Sequence, residues 1–362
     1  MPAHNRAMPT RTQALTYAAA QTARVAFYGA HYLAARVLAR DTFSTIEKPT
    51  HAMPSLAATA RAMRALFAQD WKNVEAGLYP VPVDLADEMR HARKSTRYLV
   101  DIPRVVRRQK AHGHDEVKPR AKGKPRYYQQ NFHYQTDGYL SEDSARLYEF
   151  QVEALFAGTA DAMRRRAYVP IAKFLEGRKN ATLLDIGAGT GRFLSFVKSL
   201  QPGLKAIALD LSEPYLARAR RAIGNHEDVQ FIEAPGEKMP LKAASVDVAV
   251  SIYLFHELPP KVRADVAKEI ARVLKPGGIF VLADSIQYGD APDFDGLLDV
   301  FPELLHEPYY STYAKTDFAK LFGTVGLKQT QTDIAYLTKI MTFEKPKKRG
   351  SSSSARPASK LR

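Results

Sequence analysis

The chain has 362 residues, 45% of them hydrophobic, enough for one large domain or a catalytic domain with appendages. It has no cysteine, which excludes disulfides, zinc–thiolate sites and a thiol nucleophile. The net charge of +15 is unevenly spread: residues 90–126 hold 13 Lys/Arg against 3 Asp/Glu, and 345–362 hold seven with no acid. Such patches either dock anionic partners, nucleic acid or a membrane surface, or are solvated faces. No window approaches the roughly 18 apolar residues of a transmembrane helix, and a cytoplasmic location is expected.

Residues 1–40 contain five Arg, many Ala and no acid. This would suit an organellar transit peptide or a helix lying on a membrane. The segment 12–40 reads as a helix, and its bulky Tyr28, His31 and Tyr32 favour packing on the rest of the chain. Further helical patterns cover 55–76 and 84–100. Residues 108–126, aperiodic and rich in Gly, Pro and Lys, read as an exposed basic linker after a helical extension of 1–107. Within it His112 and His114 lack a third nearby ligand, and no metal site is expected.

The stretch 127–150 gathers five tyrosines with His133 and Asp137, a mix suited to lining a pocket. Ser141 starts a helix that runs to about 157, and another covers 159–176. Thr182-Leu183-Leu184-Asp185-Ile186 then reads as a buried strand entering Gly187, Gly189 and Gly191, after which Arg192 opens a helix. Glycines there allow a sharp turn and the close approach of a ligand to the helix N-terminus. A nicotinamide or flavin fingerprint would need glycine where Arg192 stands.

A second strand ends in Asp210, 19 residues beyond Gly191, where a carboxylate can accept both hydroxyls of a ribose. A strand over 229–233 precedes Pro235-Gly236-Glu237, and one over 247–252 exits into Tyr253-Leu254-Phe255-His256-Glu257. Pro276-Gly277-Gly278 ends a helix and leads into a fifth strand. A helix over 315–325 and two alternating runs, 327–333 and 335–344, close the chain with a hairpin. The low-complexity tail 346–362 reads as disordered.

The D-x-G-x-G-x-G pattern of 185–191, Asp210 and Leu274-Lys275-Pro276-Gly277-Gly278 together resemble class I S-adenosylmethionine (AdoMet)-dependent methyltransferases, in particular the ubiquinone/menaquinone-biosynthesis type. The resemblance covers about 165–345. It implies an α/β fold: a Rossmann-like seven-stranded sheet with a terminal antiparallel hairpin, here preceded by the helical extension. The methyltransferase domain would span 127–345, with 127–157 as a cap over the site or simply a packing segment. AdoMet is the implied cofactor. Gly187, Ala188, Gly189 and Gly191 would cradle its methionine part, with Asp185 near the ammonium and Asp210 and Leu211 at the ribose. Gly236 and Glu237 stand where the family often has Asp-Ala-Glu against the adenine, and Ser251 ends the fourth strand beside them.

An acceptor that must lose a proton needs a base. Tyr253 and His256 at the strand end, and His133 and Asp137 from the cap, are the candidates. The expected acceptor is a small molecule, aromatic or lipid-like. The alternatives are a nucleic-acid or protein methyltransferase docking through the basic segments, and a non-catalytic AdoMet binder. Ser251-Ile252-Tyr253-Leu254 stands where adenine-N6 and cytosine-N4 enzymes carry Asp/Asn-Pro-Pro-Tyr/Phe, so no specific nucleic-acid partner is expected. Contact with an anionic membrane surface stays open to the basic patches, and the sequence does not set an oligomeric state.

Overall fold

In a computed structural model, which describes residues 8–39, 47–224 and 227–347, five apolar runs form parallel strands. They are β1 (Thr182–Ile186), β2 (Lys205–Asp210), β3 (Val229–Glu233), β4 (Val246–Ile252) and β5 (Leu274–Ser285). The hairpin β6 (Lys328–Ala335) and β7 (Thr338–Glu344) joins antiparallel to β5, giving the order β3-β2-β1-β4-β5-β7-β6. The period of two sends Leu183, Val248 and Val281 into one core and Leu184, Ala249 and Leu282 into the other, so both faces are covered. The strand order reverses at β1, which pairs with β2 on one side and β4 on the other. The carboxyl ends of β1 and β4 part there and open a crevice.

The helices, in chain order, begin with α1 (Arg11–Leu38), α2 (Leu56–Glu75), α3 (Leu85–Ala92) and α4 (Ser95–Lys110) of the extension. The segment before the sheet supplies α5 (Glu142–Leu155), α6 (Ala160–Arg166) and α7 (Tyr168–Leu175). Within the sheet domain come α8 (Arg192–Leu200), α9 (Glu213–Ile223), α10 (Pro260–Val273), α11 (Asp295–Leu304), α12 (Tyr310–Tyr313) and α13 (Phe318–Gly323). Side-chain caps start several of them: Ser55 accepts from the Ala58 amide and Ser141 from that of Ser144. No helix among the described residues is long and apolar enough to cross a membrane. The tail beyond 347 lies outside the described residues.

Two expectations are corrected. The single helix over 84–100 is two, α3 and α4, and α4 runs on to Lys110 through Pro103 because it buries Ile102 and lays Val105 and Val106 against a cavity. The stretch 108–126 is exposed over most of its length, but it is anchored to the fold and is not a free linker. Val117 and Ala121 are fully buried, Arg108 donates to Glu116 and Thr136, and Lys124 donates to the Leu211 carbonyl.

The extension is bound to the sheet domain by buried charge. The Asp70 carboxylate on α2 accepts from the hydroxyls of Tyr17 and Tyr79, each at 2.7 Å, and from the Arg165 guanidinium at 3.0 and 2.6 Å. Arg24 on α1 pairs with Glu88, and with Glu153 at 2.9 Å. Tyr28 and His31 pack on Phe150 of α5, with ring centres 5.3 and 5.1 Å apart. Gly158 turns the chain directly beneath α1 at φ 82°, where a Cβ would lie 2.9 Å from the Arg24 carbonyl oxygen. Removing the shared acceptor strands a buried guanidinium, so Asp70→Ala is expected to lower stability by about 3–5 kcal/mol in urea unfolding. A loss under about 1 kcal/mol would show that the extension is held by other contacts.

Candidate functional site

The crevice at the ends of β1 and β4 begins with the glycine loop. Gly187, Gly189 and Gly191 all have positive φ, and the amides of Gly187 and Ala188 turn back to the Leu209 carbonyl at 2.8 and 3.1 Å. The three glycines serve different ends. At Gly191 a Cβ would lie 2.8 Å from Ala219 Cβ, so that glycine lets α8 and α9 close on each other. At Gly189 a Cβ would meet nothing within 4 Å, so its backbone lies open to a ligand. The Asp210 carboxylate is fixed from behind, accepting from the Gly189 and Ser212 amides at 2.8 Å each. Burial raises its pKa, and those amides oppose the rise.

A cavity lies over this loop. Gly187, Gly189, Asp210, Leu211, Gly236 and Glu237 line it, as does Tyr253. Ala188, Gly191, Asp185 and Ser251 do not. Ser251 is fully buried and donates to the Ile186 carbonyl at 3.1 Å, a sheet-end contact. Asp185 is also buried, and its Oδ2 has no hydrogen-bond partner. Burial, with the negative Asp210 nearby, pushes its carboxyl up to about 7. The residues lining the cavity fit AdoMet: an open backbone for the methionine part and an oriented carboxylate for the ribose.

The sequence did not foresee which rings of the cap wall this cavity. Tyr127, Tyr128, Phe132, Tyr139 and Tyr148 form its outer wall. The Tyr127 hydroxyl donates to Glu237, at 2.9 Å to Oε2, and Tyr139 donates to Glu257 at 2.5 Å. Thr190 in the glycine loop donates to Glu149 of α5, which pairs in turn with Arg164 at 2.8 Å. The density of tyrosines over 127–150 was the available signal; which ring meets which strand end depends on the tertiary fold.

Of the proposed proton-handling residues, three converge and one does not. Tyr253 has φ 55°, a costly conformation for a non-glycine residue. Its ring stacks on Phe156 and its hydroxyl lies 2.6 Å from Thr338 Oγ1. It faces both the cofactor cavity and a second cavity behind it. His133, at φ 54°, places Nε2 3.1 Å from Glu307 Oε1 and 3.9 Å from Glu257 Oε1. Burial, with His256 and His306 nearby, pushes its imidazole down to about 3. His256 holds Nδ1 2.6 Å from Asp284 Oδ1; burial pulls its imidazole down, but Asp284 outweighs this and raises it to about 9. Burial raises Glu257 to about 7, opposed by His256, and raises Glu307 as well.

Asp137 is the correction. It pairs with Arg120 at 2.6 Å and lines neither the cofactor cavity nor the one behind it. Glu257 and Glu307, absent from the sequence-based candidates, stand in its place.

Residues 184–282 match the family model described as a methyltransferase domain. The chain is 34% identical over 142 residues to a demethylmenaquinone methyltransferase of Chlorobaculum tepidum, covering 38% of this chain and 55% of that one. It is 33% identical over 121 residues to a sterol 4-C-methyltransferase of Caenorhabditis elegans, covering 33% of this chain and 36% of the relative. Among solved structures it is similar to a 1,6-didemethyltoxoflavin-N1-methyltransferase of Burkholderia thailandensis with bound S-adenosylhomocysteine. That likeness has 22% identity and a TM-score of 0.41, covering 56% of this chain and 86% of the other. The chain therefore spans about half or less of the length of these curated relatives. Within that span, residues 184–282 match a methyltransferase domain and are similar in sequence to demethylmenaquinone methyltransferases.

Proposed function

We propose that the chain catalyses methyl transfer from AdoMet to a small acceptor with an apolar body, aromatic or lipid-like. The supporting observation is a run of three adjoining cavities. The cofactor cavity shares Tyr148, Tyr253 and Glu257 with the one behind it. That one shares His133, Val152, Phe156 and Phe301 with an outer cavity walled by α1, α4, α5 and α11. The three enclose about 90, 70 and 260 Å³, so the outer, apolar one is the roomiest. The helical extension thus has a use beyond packing: Ile102, Val105 and Val106 of α4 supply part of the outer wall. Apolar walls with few directed polar groups are the mark of a small-molecule site.

When bound, AdoMet supplies an electrophilic methyl group. The protein aligns the acceptor with it and excludes water. Asp210 and the glycine loop hold the cofactor, and the tyrosine cap walls its outer side. Tyr253 shapes the passage between the cavities, and His133 and Glu257 stand beside the place where the acceptor's reacting group would lie. A docking role for the basic segment 90–126 is less favoured, since Arg108, Arg120 and Lys124 are engaged within the fold.

Asp210→Ala should weaken AdoMet binding by about 1.5–3 kcal/mol, roughly tenfold or more by calorimetry. Unchanged affinity would remove Asp210 from the site. Gly189→Val should abolish binding, because the side chain enters the space open to the ligand at φ 54°. His133→Ala should cut turnover by roughly 10²-fold with AdoMet affinity within a few-fold, whereas Asp137→Asn should leave both near wild type. The acceptor class itself is tested by supplying methyl-labelled AdoMet to protein mixed with a cell extract. Label should pass to the solvent-extractable lipid and small-molecule fraction; label confined to nucleic acid or protein would reverse the reading.

A further inference from the structure

We propose that His133, His256, Glu257 and Glu307 form a site for one divalent transition-metal ion, of the zinc or manganese kind, at the floor of the acceptor passage. One donor atom from each of the four residues lies within 4.8 Å of all the others. Donors bound at about 2.0–2.2 Å lie about 3.3–3.6 Å apart around a tetrahedral ion and up to about 4.4 Å apart across an octahedral one, so closure needs shifts of up to about an ångström.

Two further observations point to a cation. Glu307 is fully buried, and neither carboxylate oxygen has a hydrogen-bond partner, although His133 Nε2 stands 3.1 Å from Oε1. Leaving such a group unsatisfied is costly unless something charged completes it. His256, in turn, is held through Nδ1 by Asp284 at 2.6 Å, which leaves Nε2 as its ligating atom. A carboxylate on the far nitrogen is the usual support of a metal-bound histidine.

Two imidazoles and two carboxylates with no sulfur suit zinc, manganese or iron better than magnesium or calcium, which favour all-oxygen shells. Two carboxylates also balance the charge of a divalent ion. The position gives the ion a role that rests on the methyltransferase reading. Glu257 lines both the cofactor cavity and the one behind it, and His133 lines that one and the outer cavity. An ion held there would meet an oxygen or nitrogen of an acceptor entering from the apolar side, and would orient it toward the methyl group.

The test is metal content and calorimetry on the untagged full chain, stripped with chelator and titrated with Zn²⁺ and with Mn²⁺ in separate runs. AdoMet binding is measured in parallel. Wild type should take up one ion per chain and gain thermal stability from it. Glu307→Gln, which keeps the side-chain shape, and His133→Asn should each lose at least tenfold in metal affinity while still binding AdoMet. Asp284→Asn, a positioning change, should lose about 10–100-fold. No stoichiometric uptake by wild type, or equal uptake by Glu307→Gln and His133→Asn, overturns the site. Metal uptake without AdoMet binding would instead refute the methyltransferase reading and leave the ion site standing.

Discussion

The constraint on which the structure turns is the space at the carboxyl end of β1. The chain must leave a strand buried on both faces, reverse within a few residues and start α8 hard against α9. With φ 75° and a Cβ position 2.8 Å from Ala219, residue 191 has to be glycine before any ligand is considered. Once the turn is made, Gly189 presents bare backbone outward and donates inward to Asp210. The packing requirement and the binding surface are therefore two sides of one loop. The β1–β4 gap in the strand order places that loop where a crevice opens.

Around this loop the protein uses buried charge as its fastening. Asp70 draws α1, α2 and α6 to one point, while Arg24 and Arg192 converge on Asp161 from α1 and α8. Buried pairs of this kind add less net stability than their number suggests, because each charge first loses its water. Breaking one is nevertheless severe, and this makes the arrangement specific. The extension is thereby held in the one place where α4 can wall the outer cavity and α5 can reach the glycine loop through Glu149.

The fold of residues 182–344 was legible because its signals are local. Apolar runs, glycine turns and Asp210 sit at fixed distances along the chain, and the sheet follows from them. The tyrosines of 127–150 announced a lined pocket but not which strand ends they would cover. Glu307 could not be read as part of a site, since it lies 50 residues beyond Glu257 and meets His133 and Glu257 only after α11 has packed against the cap. Asp137 erred for the converse reason: its neighbours in sequence enter the site, yet its own φ of 65° turns it to Arg120. The composition of 108–126 announced its exposure but not its anchoring, because its lysines and arginines hid the two small apolar anchors Val117 and Ala121.

The account rests on a cofactor lying between the glycine loop and the tyrosine cap, with its sulfur facing the apolar passage. A crystal structure with S-adenosylhomocysteine tests this directly. The ribose hydroxyls should lie within hydrogen-bond distance of the Asp210 carboxylate. The sulfur should point toward Tyr253 and Glu257, with the outer cavity behind them. A ligand seated elsewhere, or one whose sulfur faces solvent away from Tyr253, would contradict both the cofactor site and the acceptor route.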